Sequence, residues 1–113
     1  MYKMLSKKDI IGVNQKFHTG KLSNESSLNF AIAQVHRSQN WLKTTAILSR
    51  AILIDHVFED GNKRTAAGVI AGIMEMNSIP YSPIKIDKAV IMIAKENIVS
   101  IAKIEKVIIY ARE

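Results

Sequence analysis

Two long apolar segments, separated by a short polar stretch, decide what this chain can fold into. From Trp41 to Ile54, apolar residues (Leu42, Ala46, Ile47, Leu48, Ala51, Ile52 and Leu53) occur on nearly every side of a helix. A helix of that kind must be buried over most of its surface. Thr65 to Met76 repeats the pattern, with a loose face of small residues at Ala67, Gly68, Ala71 and Gly72. Two closely packed central helices, joined by the connection between them, are the expectation.

Shorter amphipathic segments surround this pair. Ser6-Lys7-Lys8-Asp9 has capping-box spacing, and Ile10, Ile11, Val13 and Phe17 predict a first helix ending near His18-Thr19-Gly20. Leu28, Ala31, Ile32 and Val35 recur at i, i+3, i+4 and i+7. Pro80 and Pro83 break the chain, and Ile86, Val90 and Ile93 predict a short helix beyond them. Ser100 can cap a last helix with the stripe Ile101, Ile104, Ile108 and Ala111. The only candidate for strand structure is a two-stranded excursion within Lys16–Glu25. The fold class expected is all-α, about six helices with short connections, as one domain over residues 1–113.

Composition narrows the function classes. Hydrophobic residues make up 48% and charged residues 23%, which suits a folded globular chain. No apolar run reaches about 18 uncharged residues, and M-Y-K-M-L-S-K-K lacks a signal-peptide core. A cytoplasmic protein without membrane association is therefore expected. The absence of cysteine excludes disulfides and thiolate metal sites. A net charge of +6 favours an anionic partner, but the sixteen basic residues are scattered and no basic stripe carries interleaved aromatics. Direct nucleic-acid binding is not expected.

The chemistry concentrates in Asp55 to Ala67, D-H-V-F-E-D-G-N-K-R-T-A-A. Asp60-Gly61 signals a turn, and Asn62 is expected to cap the helix that follows. The first turn of that helix would offer unpaired N–H groups, reinforced by Lys63 and Arg64, which makes an anion site. His56, Glu59 and Asp60 stand on the other side of the turn. His56 suits the role of general base, because a neutral imidazole near pH 7 can accept a hydroxyl proton. Phe58 is expected as a core anchor of the loop, Glu59 as solvent-facing, and His18 and His36 as solvated. Asp55 is not expected to orient His56.

His56-Val57-Phe58-Glu59-Asp60-Gly61-Asn62-Lys63-Arg64 resembles the signature loop of Fic/Doc proteins, H-x-F-x-[D/E]-G-N-[G/K]-R. Seven positions are specified, two of them by a pair of residue types, and a chance match is expected on the order of once in ten million windows or fewer. Lys63 and the following Thr65-Ala66 resemble the Doc (death-on-curing) branch. Ala67 stands where adenylyltransferases of the Fic branch usually carry a second Arg. The resemblance implies a helical Fic/Doc-like fold and an enzyme that transfers a phosphoryl group from a nucleoside triphosphate such as ATP to a protein Ser or Thr. It implies His56 as base, Asp60 as holder of Mg²⁺, and Phe58, Gly61, Asn62, Lys63 and Arg64 as the nucleotide-binding set. It also implies a protein target, with the translation machinery as its candidate source, and a flap at Lys21–Glu25 that pairs with the target. Near matches to the family's inhibitory motif, at Glu75-Met76 and Glu96-Asn97, fail because Ala71 and Met92 replace Ser or Thr. A separate antitoxin-like partner is the implied alternative. AMP transfer through the same His56, or a non-catalytic protein-binding module, are the competing readings.

Overall fold

Each helix of the fold begins where a polar side chain can satisfy its first N–H groups, with one exception. The computed structural model describes residues 4–38 and 40–113. Among them are six helices: α1 (Lys7–Gln15), α2 (Glu25–His36), α3 (Trp41–Leu53), α4 (Asn62–Met76), α5 (Pro83–Lys95) and α6 (Ile101–Ile109). The all-α architecture matches the periodicity of the sequence. Ser6 and Asp9 form the reciprocal capping box, Asp9 N–H donating to Ser6 Oγ at 3.1 Å and Ser6 N–H to Asp9 Oδ2 at 3.0 Å. Asn24, Asn40, Ser82 and Ser100 cap α2, α3, α5 and α6, and Pro83 takes the first turn of α5. The exception is α4. Its N-cap is Gly61, at φ 75°, with no side-chain cap.

α3 is the central helix and packs against α2, α4 and α6, while α1 and α5 pack against α4. Nine of its side chains are buried, including Thr44, Thr45 and Ser49. Burial of polar groups inside a helix is tolerated where they find partners, as when Thr45 Oγ1 donates to Trp41 C=O at 2.7 Å. One hydrophobic core draws Ile10 from α1, Leu28 and Val35 from α2, Ile52 from α3, Ile70 and Ile73 from α4, Ile93 from α5 and Ile104 and Ile108 from α6. No helix among the described residues is long and apolar enough to cross a membrane.

Three expectations are corrected. α1 stops at Gln15, short of His18, and Phe17 lies outside it and is exposed. The chain tightens there instead, Phe17 and His18 N–H both donating to Asn14 C=O. The Lys16–Glu25 segment forms no hairpin of its own. Leu22 makes a single antiparallel bridge with Phe58, so its strand-type partner is the polar loop. Asn62, finally, does not cap α4, because its amide is engaged with Phe58 as described below.

The small-residue face of α4 serves α1 and an open groove. A Cβ on Gly68 would stand 2.6 Å from Val13 Cγ1, so glycine lets α1 approach closely at this point. Ala67 and Ala71, beside it, border the groove.

Candidate functional site

The polar loop leaves α3 at the C-cap Ile54 and enters α4 after Gly61. Its shape is set by main-chain bonds to the segment before α2. Val57 C=O accepts from Ser23 N–H at 2.8 Å and Asn24 N–H at 3.1 Å, and Glu59 N–H donates to Lys21 C=O at 3.1 Å. Val57 and Phe58 are buried, so the loop is pinned through its middle. The Phe58 side chain belongs to the core and does not line the cleft, which limits its part in the binding set to holding the loop's shape. Asn62 closes this unit by donating to Phe58 C=O and accepting from Phe58 N–H.

A second clamp comes from far away in the chain. Asn14 is 1% exposed and uses both ends of its amide. Nδ2 donates to Asp60 C=O at 2.9 Å and to Thr65 Oγ1 at 3.0 Å, while Oδ1 accepts from Gly20 N–H at 2.9 Å. Thr65 Oγ1 in turn donates to Gly61 C=O at 2.8 Å. A buried, fully used amide of this kind is costly to disturb and specifies one arrangement.

His56 emerges from this pinned loop at φ 51°, a left-handed backbone conformation unusual for a side chain of its size. It is exposed and lines a cleft of about 360 Å³ together with His18, Asp60, Gly61, Lys63 and Arg64. Asp55 points elsewhere: its carboxylate accepts from Ser27 Oγ, and its carbonyl accepts from Asn24 Nδ2 at 3.0 Å. Glu59 pairs with Lys21 at 3.5 Å on the exposed rim. Among the described residues the Asp60 carboxylate, Lys63 and Arg64 have no ion-pair partner. Arg64 instead lies over the Phe17 ring, 5.4 Å from its centroid.

Hence the start of α4 presents uncapped N–H groups and two cations to a cleft that also holds the imidazoles of His18 and His56 and the carboxylates of Glu59 and Asp60. Such a place can seat an anion. Among the described residues no group of three His, Asp or Glu side chains gathers for a metal ion. Asp60 alone supplies one hard oxygen donor, which fits Mg²⁺ when phosphate oxygens and water complete the shell.

A larger groove of about 590 Å³ shares Lys63 and Arg64 with this cleft. Phe17, Ala67, Ala71, Tyr81, Ile86, Val90 and Ile91 give it apolar walls. The Tyr81 hydroxyl donates to the Glu75 carboxylate, which holds the phenol proton above its usual range.

Of the residues expected at the site, His56, Asp60, Gly61, Asn62, Lys63 and Arg64 come together around the cleft. His36 is exposed on α2, as expected. His18 is the correction: expected in solvent, it is half-buried in the cleft with its ring against Gly61. Asn14 and Phe17 were likewise missed as parts of the site. A signal existed for Asn14, since it falls four residues after Ile10 on the apolar face of its helix, where an unpaired amide would be costly. Comparison with family models, with curated proteins and with solved structures gave no match. The likeness to Fic/Doc proteins therefore rests on this sequence alone, chiefly on residues 56–66.

Proposed function

We propose that this chain is a Doc-like phosphotransferase that moves the γ-phosphoryl group of a nucleoside triphosphate to a Ser or Thr hydroxyl of a target protein. The observation that carries the reading is that His56 shares one cleft with Lys63, Arg64 and the uncapped start of α4. Phosphoryl transfer asks a protein mainly for positioning and for stabilisation of charge, with a base at the attacking hydroxyl. In this reading His56 accepts the hydroxyl proton as the hydroxyl oxygen bonds to phosphorus. The bond from phosphorus to the departing nucleoside diphosphate breaks, and the diphosphate leaves with its electron pair.

The N–H groups of Gly61–Lys63 and the side chains of Asn62, Lys63 and Arg64 would hold the phosphoryl oxygens, whose charge spreads in the transition state. Cations at the positive end of a helix dipole are unfavourable until an anion arrives. Asp60 would hold Mg²⁺, which when bound neutralises phosphate charge. The apolar groove beside Lys63 and Arg64 offers a surface on which the nucleoside base can lie. The target would be a protein, with the translation machinery as its candidate source, in the cytoplasm where nucleoside triphosphates are available. Control would come from a separate antitoxin-like protein.

The deciding experiment incubates the pure protein with candidate target proteins and ATP labelled separately at the α and γ positions. Transfer of the γ label, lost in His56→Ala, supports the reading. Transfer of the α label makes the chain an adenylyltransferase, and transfer of neither makes it a binding module.

A further inference from the structure

The His18 imidazole is placed with more care than a solvated histidine would need. The backbone N–H of His18 donates to Asn14 C=O at 2.8 Å, and two residues later Gly20 N–H donates to Asn14 Oδ1 at 2.9 Å. One buried residue thus grips the chain on both sides of His18. The same Asn14 amide holds Asp60 C=O and Thr65 Oγ1. The backbone that carries the ring and the polar loop are therefore held from a common point.

The ring meets the loop at Gly61. A Cβ built on that glycine would overlap the ring, with Nε2 only 2.5 Å away. The imidazole consequently lies in contact with the backbone that begins α4, on the cleft side, where it stands with His56, Lys63 and Arg64. No side-chain hydrogen bond within the described residues uses its ring nitrogens. The ring nitrogens are not buried and lie on the wall of the cleft, so the unspent N–H is free to donate to an anion seated there.

We infer that His18 is a further binding residue of this cleft, donating a ring N–H to the anion seated at the start of α4. The inference rests on the phosphate-site reading above and adds to it a residue from the other end of the chain. The role differs from that of His56: His18 binds the oxyanion, and His56 takes the proton.

The test measures binding of inorganic triphosphate by calorimetry without divalent metal, so that Asp60 has no part in it. His18→Phe keeps a ring against Gly61 and removes the N–H. His18→Gln keeps an N–H donor of similar reach. The expected result is wild-type melting temperature in both, about tenfold weaker binding in His18→Phe, and binding within about threefold of wild type in His18→Gln, as loss of one charge-assisted hydrogen bond requires. His18→Leu takes the place of phenylalanine if that variant does not fold. Equal affinity in wild type and the apolar variant overturns the inference and leaves the phosphate site standing. Equal loss in the apolar and glutamine variants overturns it too, by making ring shape the cause. A wild-type protein that binds no triphosphate removes both the inference and the reading beneath it.

Discussion

Asn62 holds Phe58 from both sides, its Oδ1 accepting from the Phe58 N–H at 3.0 Å and its Nδ2 donating to the Phe58 C=O at 2.9 Å. An amide side chain carries a donor and an acceptor side by side, so it can pair with a peptide's acceptor and donor at once. Asn62→Ala loses both bonds next to a buried residue. At about 0.5–1.5 kcal/mol for each bond, the cost is roughly 1–3 kcal/mol. Asn62→Asp keeps the acceptor and should lie between. Urea denaturation of the three proteins checks the order, which a capping role would not produce, because aspartate caps as well as asparagine.

His56 is expected to separate stability from activity. Its φ of 51° is strained for any residue with a Cβ and natural for glycine. His56→Gly should therefore lower transfer by ~100-fold or more, as removal of a general base does. Its melting temperature should equal or exceed that of wild type. Parallel activity and thermal-melt measurements test this, and a variant that keeps near-normal transfer would show that another group takes the proton.

Lys63 and Arg64 occupy similar places but should behave differently. Without an anion, Lys63→Ala should stabilise the protein by about 0.3–1 kcal/mol, since a cation leaves the positive end of a helix dipole. Arg64→Ala gains as much but gives up its position over Phe17, worth about 0.5–1 kcal/mol at an exposed site, so the two effects nearly cancel. With nucleotide present, wild type should become the most stable of the three, because ligand binding to the folded state adds stability that both variants lose. Melts with and without nucleotide should therefore cross for Lys63→Ala. Variants less stable than wild type under both conditions, with unchanged affinity, would make both side chains structural.

The capping box of α1 should be visible in the acid limb of the stability curve. Hydrogen bonds from the Ser6 backbone N–H, and next from its hydroxyl, hold the Asp9 carboxyl below its ordinary value of 3.8. A carboxyl depressed in the folded state contributes stability above its unfolded value, and that contribution is lost as pH falls through the folded one. Asp9→Asn should thus be less stable than wild type at neutral pH. The gap should close as the pH falls below about 4. Chemical denaturation at neutral pH and below pH 3 measures both ends; a gap that does not change would remove ionised Asp9 from the cap.

Helix positions were legible because they depend on residues close together in sequence. Leu28, Ala31 and Val35, or Ile104, Ile108 and Ala111, show their buried face without any knowledge of neighbours. The polar loop was legible for the same reason, since His56 to Arg64 is one continuous stretch. What escaped was the contribution of the α1 end. Asn14 acts on residues 46 and 51 positions away, and no local pattern reports a partner at that distance. Asn62 misled for a subtler reason. Cap and clamp use the same amide oxygen, and only the neighbouring Phe58 backbone decides between them.

α1 buries one apolar side chain, Ile10, beside Asn14, fewer than any other helix, so it is the helix least secured by the core. Parts of a protein with few buried contacts open on their own, at a fraction of the free energy needed to unfold the whole. Were α1 to lift away, the cleft would lose His18, the loop its Asn14 clamp and the groove Phe17 in one movement, while α3 would keep its contacts with α4 and α6. The site is thus tied to the helix with the fewest buried apolar side chains. If an anion seats there, its occupancy and the exchange protection of α1 should rise and fall together.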